Sequence, residues 1–74
     1  MNLLQAIEDR VYTLDQINLD MEWTKQLFGM GMTLNCAVKI VRKFRNKVVV
    51  KIAENVQLVI DSALANMIVV RECE

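Results

Sequence analysis

Hydrophobic and polar positions change their spacing along the chain near Gly31. Before that residue, the segment 11–17 is rich in β-branched and aromatic side chains, which is typical of a strand. Apolar side chains then follow at Trp23, Leu27 and Met30, spaced four and three residues apart, so they lie on one face of a helix. We expect this face to pack in the core, against a sheet.

The ends of this helix are marked by capping residues and by glycine. Asn18 and Asp20 precede the apolar face and offer side chains that accept hydrogen bonds from the first N–H groups of a helix. Gly29 falls in the last turn, where it either permits a close backbone approach or begins to unwind the helix. Gly31 is expected to take the left-handed conformation that stops the helix and redirects the chain.

After the glycines, apolar and polar residues alternate, which is the pattern of strands. Two such strands, over 37–41 and 47–52, flank the polar tip 43–47 and predict a hairpin with an apolar inner face. Three further elements follow a turn at Glu54 and Asn55: a strand over 56–60, one helical turn over 61–66 and a short strand over 68–70.

The first residues carry a weaker helix signal. Asn2 followed by Gln5 is a start signature, and it predicts a short turn or helix with Leu3, Leu4 and Ile7 on one side. The whole pattern indicates a mainly β protein, a single domain over residues 1–74. With five short strands and one or two short helices, it is expected to curl into a small barrel, which removes exposed sheet edges.

Charge is concentrated in one part of the chain. Nine basic and nine acidic residues give a formal net charge of zero. Residues 36–53, called here the basic hairpin, nevertheless carry six basic and no acidic side chains. These are Lys39, Arg42, Lys43, Arg45, Lys47 and Lys51.

Four interpretations of the basic hairpin remain open. The simplest is a solvated hairpin whose charges discourage edge pairing. An acidic protein partner, an anionic membrane surface or single-stranded nucleic acid would each use the charge for binding. Nucleic acid ranks last, because it needs stacking aromatic side chains and the segment contains only Phe44.

Catalytic and metal-binding residues are sparse. The chain has no histidine, no phosphate-binding loop and no recognisable pair of carboxylates, which disfavours an enzyme. Cys36 is expected to be a buried or half-buried small hydrophobic residue and Cys73 an exposed thiol. We therefore expect no cofactor and no tight metal binding. Neither a signal peptide nor a long apolar segment is found, so a cytoplasmic location is expected.

Two stretches, KQLFGMGMTLN (25–35) and VQLVIDSALANMIVV (56–70), carry a further pattern, and with the hairpin between them they resemble the FeoA-type domain of bacterial ferrous iron transport. The residues that fall on its signatures are Lys25, Leu27, Met30, Gly31 and Met32, then Ile60, Ala65, Ile68 and Val70. Leu34 and Asn35 stand where that family has Pro-Gly, and the turn at Asn55 lacks a common glycine. Both asparagines can adopt the left-handed turn conformation instead.

The resemblance implies an SH3-like barrel with an accessory role: binding the cytoplasmic part of a FeoB-type ferrous iron permease and modulating it, with peripheral contact to the membrane surface. The alternatives are an SH3-like interaction module linked to metal-dependent regulation, or a small nucleic-acid-binding barrel. Gly29, Gly31 and Asn35 are predicted to be structural turn residues. The candidate partner-binding residues are Phe28, Met32, Arg42, Lys43, Phe44, Arg45 and Lys47.

Overall fold

Seven elements of regular structure lie within residues 1–73, the part of the chain that the computed structural model describes. They are β1 (Val11–Ile17), α1 (Met21–Gly29), β2 (Ala37–Lys43), β3 (Lys47–Ala53), β4 (Val56–Asp61), α2 (Ser62–Ala65) and β5 (Ile68–Glu72). The predicted mainly β architecture of five short strands and two short helices is confirmed. No helix in this part of the chain is long and apolar enough to cross a membrane.

The strands form one antiparallel sheet in the order β4-β3-β2-β1-β5. Alternate residues of each strand point inward, as the period of two in the sequence requires. Tyr12 of β1 lies opposite Val38 of β2, and Val48 of β3 lies opposite Ile60 of β4; all four are buried. The Tyr12 hydroxyl also accepts a hydrogen bond of 3.0 Å from the N–H of Ile7, so its polar end is satisfied.

The first residues form a turn rather than a helix, although the start signature operates as predicted. The side-chain oxygen of Asn2 accepts hydrogen bonds from the N–H groups of Leu4 and Gln5, at 2.9 and 3.2 Å. The side-chain oxygen of Gln5 in turn accepts a hydrogen bond of 3.0 Å from the Asn2 N–H. This reciprocal pair satisfies the free donors of a single turn and orients Leu3 into the core, where it is fully buried.

The same residues cover one edge of the sheet, a contact that sequence periodicity did not predict. Leu3 donates its N–H to the carbonyl of Ile68 at 3.0 Å, and Val70 donates to the carbonyl of Met1 at 2.8 Å. Asn2 thereby pairs with Val69 in an isolated antiparallel bridge. The outer edge of β5 is closed by the chain itself.

Helix α1 begins and ends at the residues that the sequence indicates. The Asp20 carboxylate accepts a hydrogen bond of 3.0 Å from the N–H of Trp23, and Gly31 has a φ of +98°. Gly29 is the last helical residue, and a Cβ built there would meet no atom within 4 Å. The suggestion that Gly29 permits a close backbone approach is therefore wrong.

The loop between α1 and β2 is held by Asn35. Its φ is +69°, the left-handed conformation expected where the Pro-Gly pair is missing. Its side-chain oxygen accepts a hydrogen bond of 2.8 Å from Arg71, whose guanidinium also binds Asp15 at 3.0 Å. Asn55, in contrast, does not adopt a positive φ, whereas Asp9 does, at +67°. Of the two asparagines that can take the left-handed turn conformation, Asn35 does and Asn55 does not.

Candidate interaction surface

The apolar face of α1 is only partly used in the core. Leu27 is buried, but the side chains of Trp23 and Met30 are 41% and 44% exposed. The prediction that all three pack in the core was therefore wrong for the two outer residues. Their spacing does place them on one face, and that face lies beside the sheet as expected.

Between α1 and the sheet runs a groove with a volume of about 110 Å³, which we call the apolar groove. Side chains from α1 and its C-terminal cap line it together with side chains from β4, α2 and β5. The lining residues are Trp23, Leu27, Met30, Leu58, Val59, Ile60, Leu64 and Ile68. A concave site walled by aliphatic and aromatic side chains fits an apolar side chain of a partner.

The methionines and the phenylalanine of α1 and of the turn after it separate into exposed and buried groups. Met21 and Phe28 are exposed. Met32 is fully buried, so the prediction that it is a partner-binding residue was wrong. The reason is the reversal at Gly31: the N–H of Met32 donates back to the carbonyl of Leu27 at 2.9 Å, which turns the Met32 side chain into the core.

The strands of the basic hairpin place like charges opposite each other. Lys39 of β2 lies across from Lys51 of β3, an arrangement that destabilises an isolated hairpin. Further along, Arg42 lies opposite Val49 beyond a bulge. Because this lysine pair weakens the sheet, folding alone gives no reason for it.

At the tip of the hairpin the candidate residues are not equivalent. Lys43 is half-buried, and its ammonium donates a hydrogen bond of 2.5 Å to the carbonyl of Leu4, which fixes the N-terminal turn. The Lys47 ammonium lies 5.0 Å from the ring centre of Phe44, a cation–π contact. Arg42, Phe44, Arg45 and Lys47 are exposed and available to a partner, whereas Lys43 is committed to the fold.

The basic hairpin and the apolar groove adjoin each other across the β3–β4 pairing. Lys47 lies opposite Asp61, and Val49 lies opposite Val59, which lines the groove. Sequence reasoning missed the groove residues on β4 and α2. The sequence does carry a signal for one of them, because Val59 is an apolar residue at an outward position of the alternation. In the structure Val59 is 65% exposed.

The thiols and carboxylates are dispersed. Cys36 is half-buried and Cys73 is exposed, as predicted, and the Cys73 sulfur lies 3.1 Å from the Thr13 hydroxyl. Within residues 1–73, no group of three or more Cys, Asp or Glu side chains is placed to hold a metal ion.

The absence of tight iron binding stays a prediction. After anaerobic loading with ferrous iron and gel filtration, we expect the protein to retain less than stoichiometric metal, because hard and borderline cations need three or more converging ligands. Metal analysis of the protein fractions is the measurement. Stoichiometric iron that disappears in a Cys36→Ala or Cys73→Ser variant would contradict the prediction.

Comparison with known proteins gives a family match and a structural match. The family model described as FeoA domain matches residues 1–72. No curated protein matches the chain significantly. Among solved structures, the solution structure of iron(II) transport protein A from Clostridium thermocellum superposes with a TM-score of 0.84 at 22% sequence identity. The match covers 97% of this chain and 45% of that one, so this chain spans less than half the length of its structural neighbour.

Proposed function

The chain belongs to the FeoA domain family, a family of accessory proteins in ferrous iron transport, and we propose that it is a non-catalytic cytoplasmic adaptor of ferrous iron uptake. In this proposal it binds the cytoplasmic region of a FeoB-type permease and modulates that protein.

The observation that carries the proposal is the apolar groove. Trp23 and Met30 line it and remain half-exposed. A small protein depends for its stability on burying its large apolar side chains, so folding alone does not favour this exposure. Tryptophan and methionine are enriched at protein interfaces, where a central aromatic anchor supplies much of the binding energy. A partner side chain inserted in the groove would bury both residues.

The basic hairpin provides orientation in this proposal. Its exposed charges lie next to the groove through the pairing of β3 with β4. Opposite charge on the partner would accelerate encounter and set the direction of approach, while the groove supplies most of the affinity. The opposed Lys39 and Lys51 are then placed for a partner's carboxylates rather than for the stability of the hairpin.

Charge reversal at the hairpin should slow binding. For the double variant Arg42→Glu and Arg45→Glu, we expect the association rate with the isolated cytoplasmic region of the cognate permease to fall about tenfold at low salt. The difference should shrink at high salt, since the screening length is about 3 Å at 1 M. Surface plasmon resonance over a salt series measures both quantities. Lys43 is left unchanged because of its structural bond to Leu4.

A matched pair of single variants separates the position of the charge from net charge. Lys25 is exposed and lies on the side of α1 opposite Trp23 and Leu27. Lys25→Glu should therefore associate at the wild-type rate, whereas Arg45→Glu should associate more slowly. Equal slowing in these two variants would show that only net charge matters, and the hairpin would then have no role in orienting the partner. If the wild-type protein does not bind the permease region at any salt concentration, the adaptor proposal fails.

A further inference from the structure

Strand β4 presents an open edge within residues 1–73, so the expectation that barrel closure removes exposed sheet edges is wrong at this strand. The N–H of Ser62 donates to the carbonyl of Asn46 at 2.9 Å. This bond identifies which residue pairs of β3 and β4 are hydrogen-bonded to each other. Because hydrogen-bonding direction alternates along a strand, Leu58 and Ile60 direct their backbone groups to β3. Gln57 and Val59 direct theirs away from the sheet. Within residues 1–73, no backbone hydrogen bond outside the ladder reaches these two residues.

The two edges of the sheet therefore differ. Residues 1–3 cover β5, whereas nothing described pairs with the outer side of β4. Exposed strand edges in natural proteins are normally protected by charge, proline, a bulge or a covering segment. The centre of the β4 edge instead carries Val59, 65% exposed, and the apolar groove runs along it. Such an edge fits an added strand whose side chains enter the groove.

We propose that this edge pairs with β4 of a second copy of the chain, antiparallel and with Val59 on the two-fold axis. In this register Val59 faces Val59, Leu58 faces Ile60, and Gln57 faces Asp61 of the second copy. Apolar residues then meet apolar residues, and an amide meets a carboxylate. Shifting the register by two residues would place Val59 against Asp61 or Gln57, and the match would be lost.

Charge also favours this register. On the outer face of the sheet, Lys39, Lys51 and Gln57 form one row across three strands. Pairing of the two β4 strands adds Asp61 of the second copy to the end of that row. Its backbone would lie about 10 Å, two strand spacings, from that of Lys51. One oxygen of the Asp61 carboxylate accepts a hydrogen bond of 2.9 Å from the Leu64 N–H as the cap of α2, so the other oxygen is the one available to the lysine. The backbone separation is within reach of a lysine side chain, so the negative charge offsets the opposed lysines.

The inference does not rest on the proposed function, because it concerns the purified protein alone. The two are nevertheless linked through the apolar groove, which borders the β4 edge. A second copy and a larger partner would compete for it, so the dimer is the form in which the groove is closed.

The test places charges of equal or opposite sign on the two Val59 positions that meet at the two-fold axis. Analytical ultracentrifugation of the wild-type protein should show a reversible dimer between about 1 μM and 1 mM. In Val59→Lys and Val59→Asp, like charges meet at the axis, and each variant should dissociate at least tenfold more readily, about the effect of 1.4 kcal/mol. An equimolar mixture of the two should dimerise again. Because Val59 is exposed and its backbone lies off the ladder, both variants should keep the wild-type circular dichroism spectrum.

Two further variants make the outcome decisive. Ile7→Lys adds the same charge at an exposed site away from β4 and should dimerise like the wild type. Val59→Cys on a Cys73→Ser background keeps a small neutral side chain. It should form a disulfide-linked dimer on mild oxidation, since residues facing each other in a hydrogen-bonded pair have Cα atoms about 5.5 Å apart. A wild-type protein that stays monomeric throughout, or a mixture that does not dimerise, overturns the proposal.

Discussion

Gly31→Val is expected to lower the free energy of unfolding by about 2–3 kcal/mol, because a β-branched residue is excluded from the backbone conformation that ends α1. At a φ of +98°, Gly31 lies beyond even the left-handed region that asparagine tolerates. Steric contact contributes little: a Cβ at this position would lie 3.6 Å from the Ile52 Cδ1 atom, an ordinary van der Waals distance. The cost is therefore backbone strain, and it should lower the melting temperature by about 10–20 °C in a domain of this size.

Gly29→Ala is the matched control at the end of the same helix. A Cβ at Gly29 meets no atom within 4 Å, and the backbone is helical. Alanine should raise stability by up to about 1 kcal/mol, because it reduces the freedom of the unfolded chain. Urea titration of both variants, followed by circular dichroism, gives the two free energies. A Gly31→Val protein as stable as the wild type would contradict the role given to this residue.

Trp23→Ala is expected to weaken binding to the cytoplasmic region of the permease about 30-fold or more, equivalent to about 2 kcal/mol. The indole is half-exposed at the wall of the apolar groove, where a partner would complete its burial. Removing it should act mainly on the dissociation rate, since packing contacts form after encounter. Charge reversal at the basic hairpin should act on the association rate instead.

Met21→Ala is the control for the tryptophan. Met21 lies on the same helix, is 70% exposed and does not line the groove, so its removal should leave affinity unchanged. Isothermal titration and surface plasmon resonance of both variants separate affinity from rate. If both variants bind equally well, and as tightly as the wild type, the groove is not the interface.

Much of the fold was predictable because its signals are local. Strand β1 begins at Val11 and ends at Ile17 as the β-branched segment indicates, and the Asp20 carboxylate caps α1. The alternation after Gly31 gave the remaining strands to within a few residues. Such features depend on the side chain and its near neighbours, which a sequence displays directly.

The wrong predictions concern how far other elements cover one face of a helix or strand, rather than which residues share that face. Periodicity correctly grouped Trp23 with Met30, but it carries no information about how far the sheet extends over α1. Met32 was named as a partner-binding candidate because it is apolar and lies off the Trp23 face, but the reversal at Gly31 carries it into the core. The bond from Lys43 to Leu4 was hidden for a related reason: it joins residues 39 positions apart.

The candidate site was harder to predict than the fold because its parts come from distant segments. Trp23, Val59 and Leu64 meet only when α1, β4 and α2 are packed together. The basic hairpin was visible in the sequence because its charges are contiguous. Its position beside the groove follows from the register of β3 with β4, which sequence alone did not supply.

The covering of β5 by the first residues also affects the order in which the molecule can form. The Met1 ammonium and the carbonyl of Val70 meet across 69 positions, and β5 also pairs with β1. Leu3 therefore has no complete site in the core until Ile68 and its neighbours are in place. During synthesis, β1 to β4 are made before Ile68, so the first residues can pack fully into the core only after β5 has been made. Contacts between such distant residues also make folding slow compared with a helical domain of equal length.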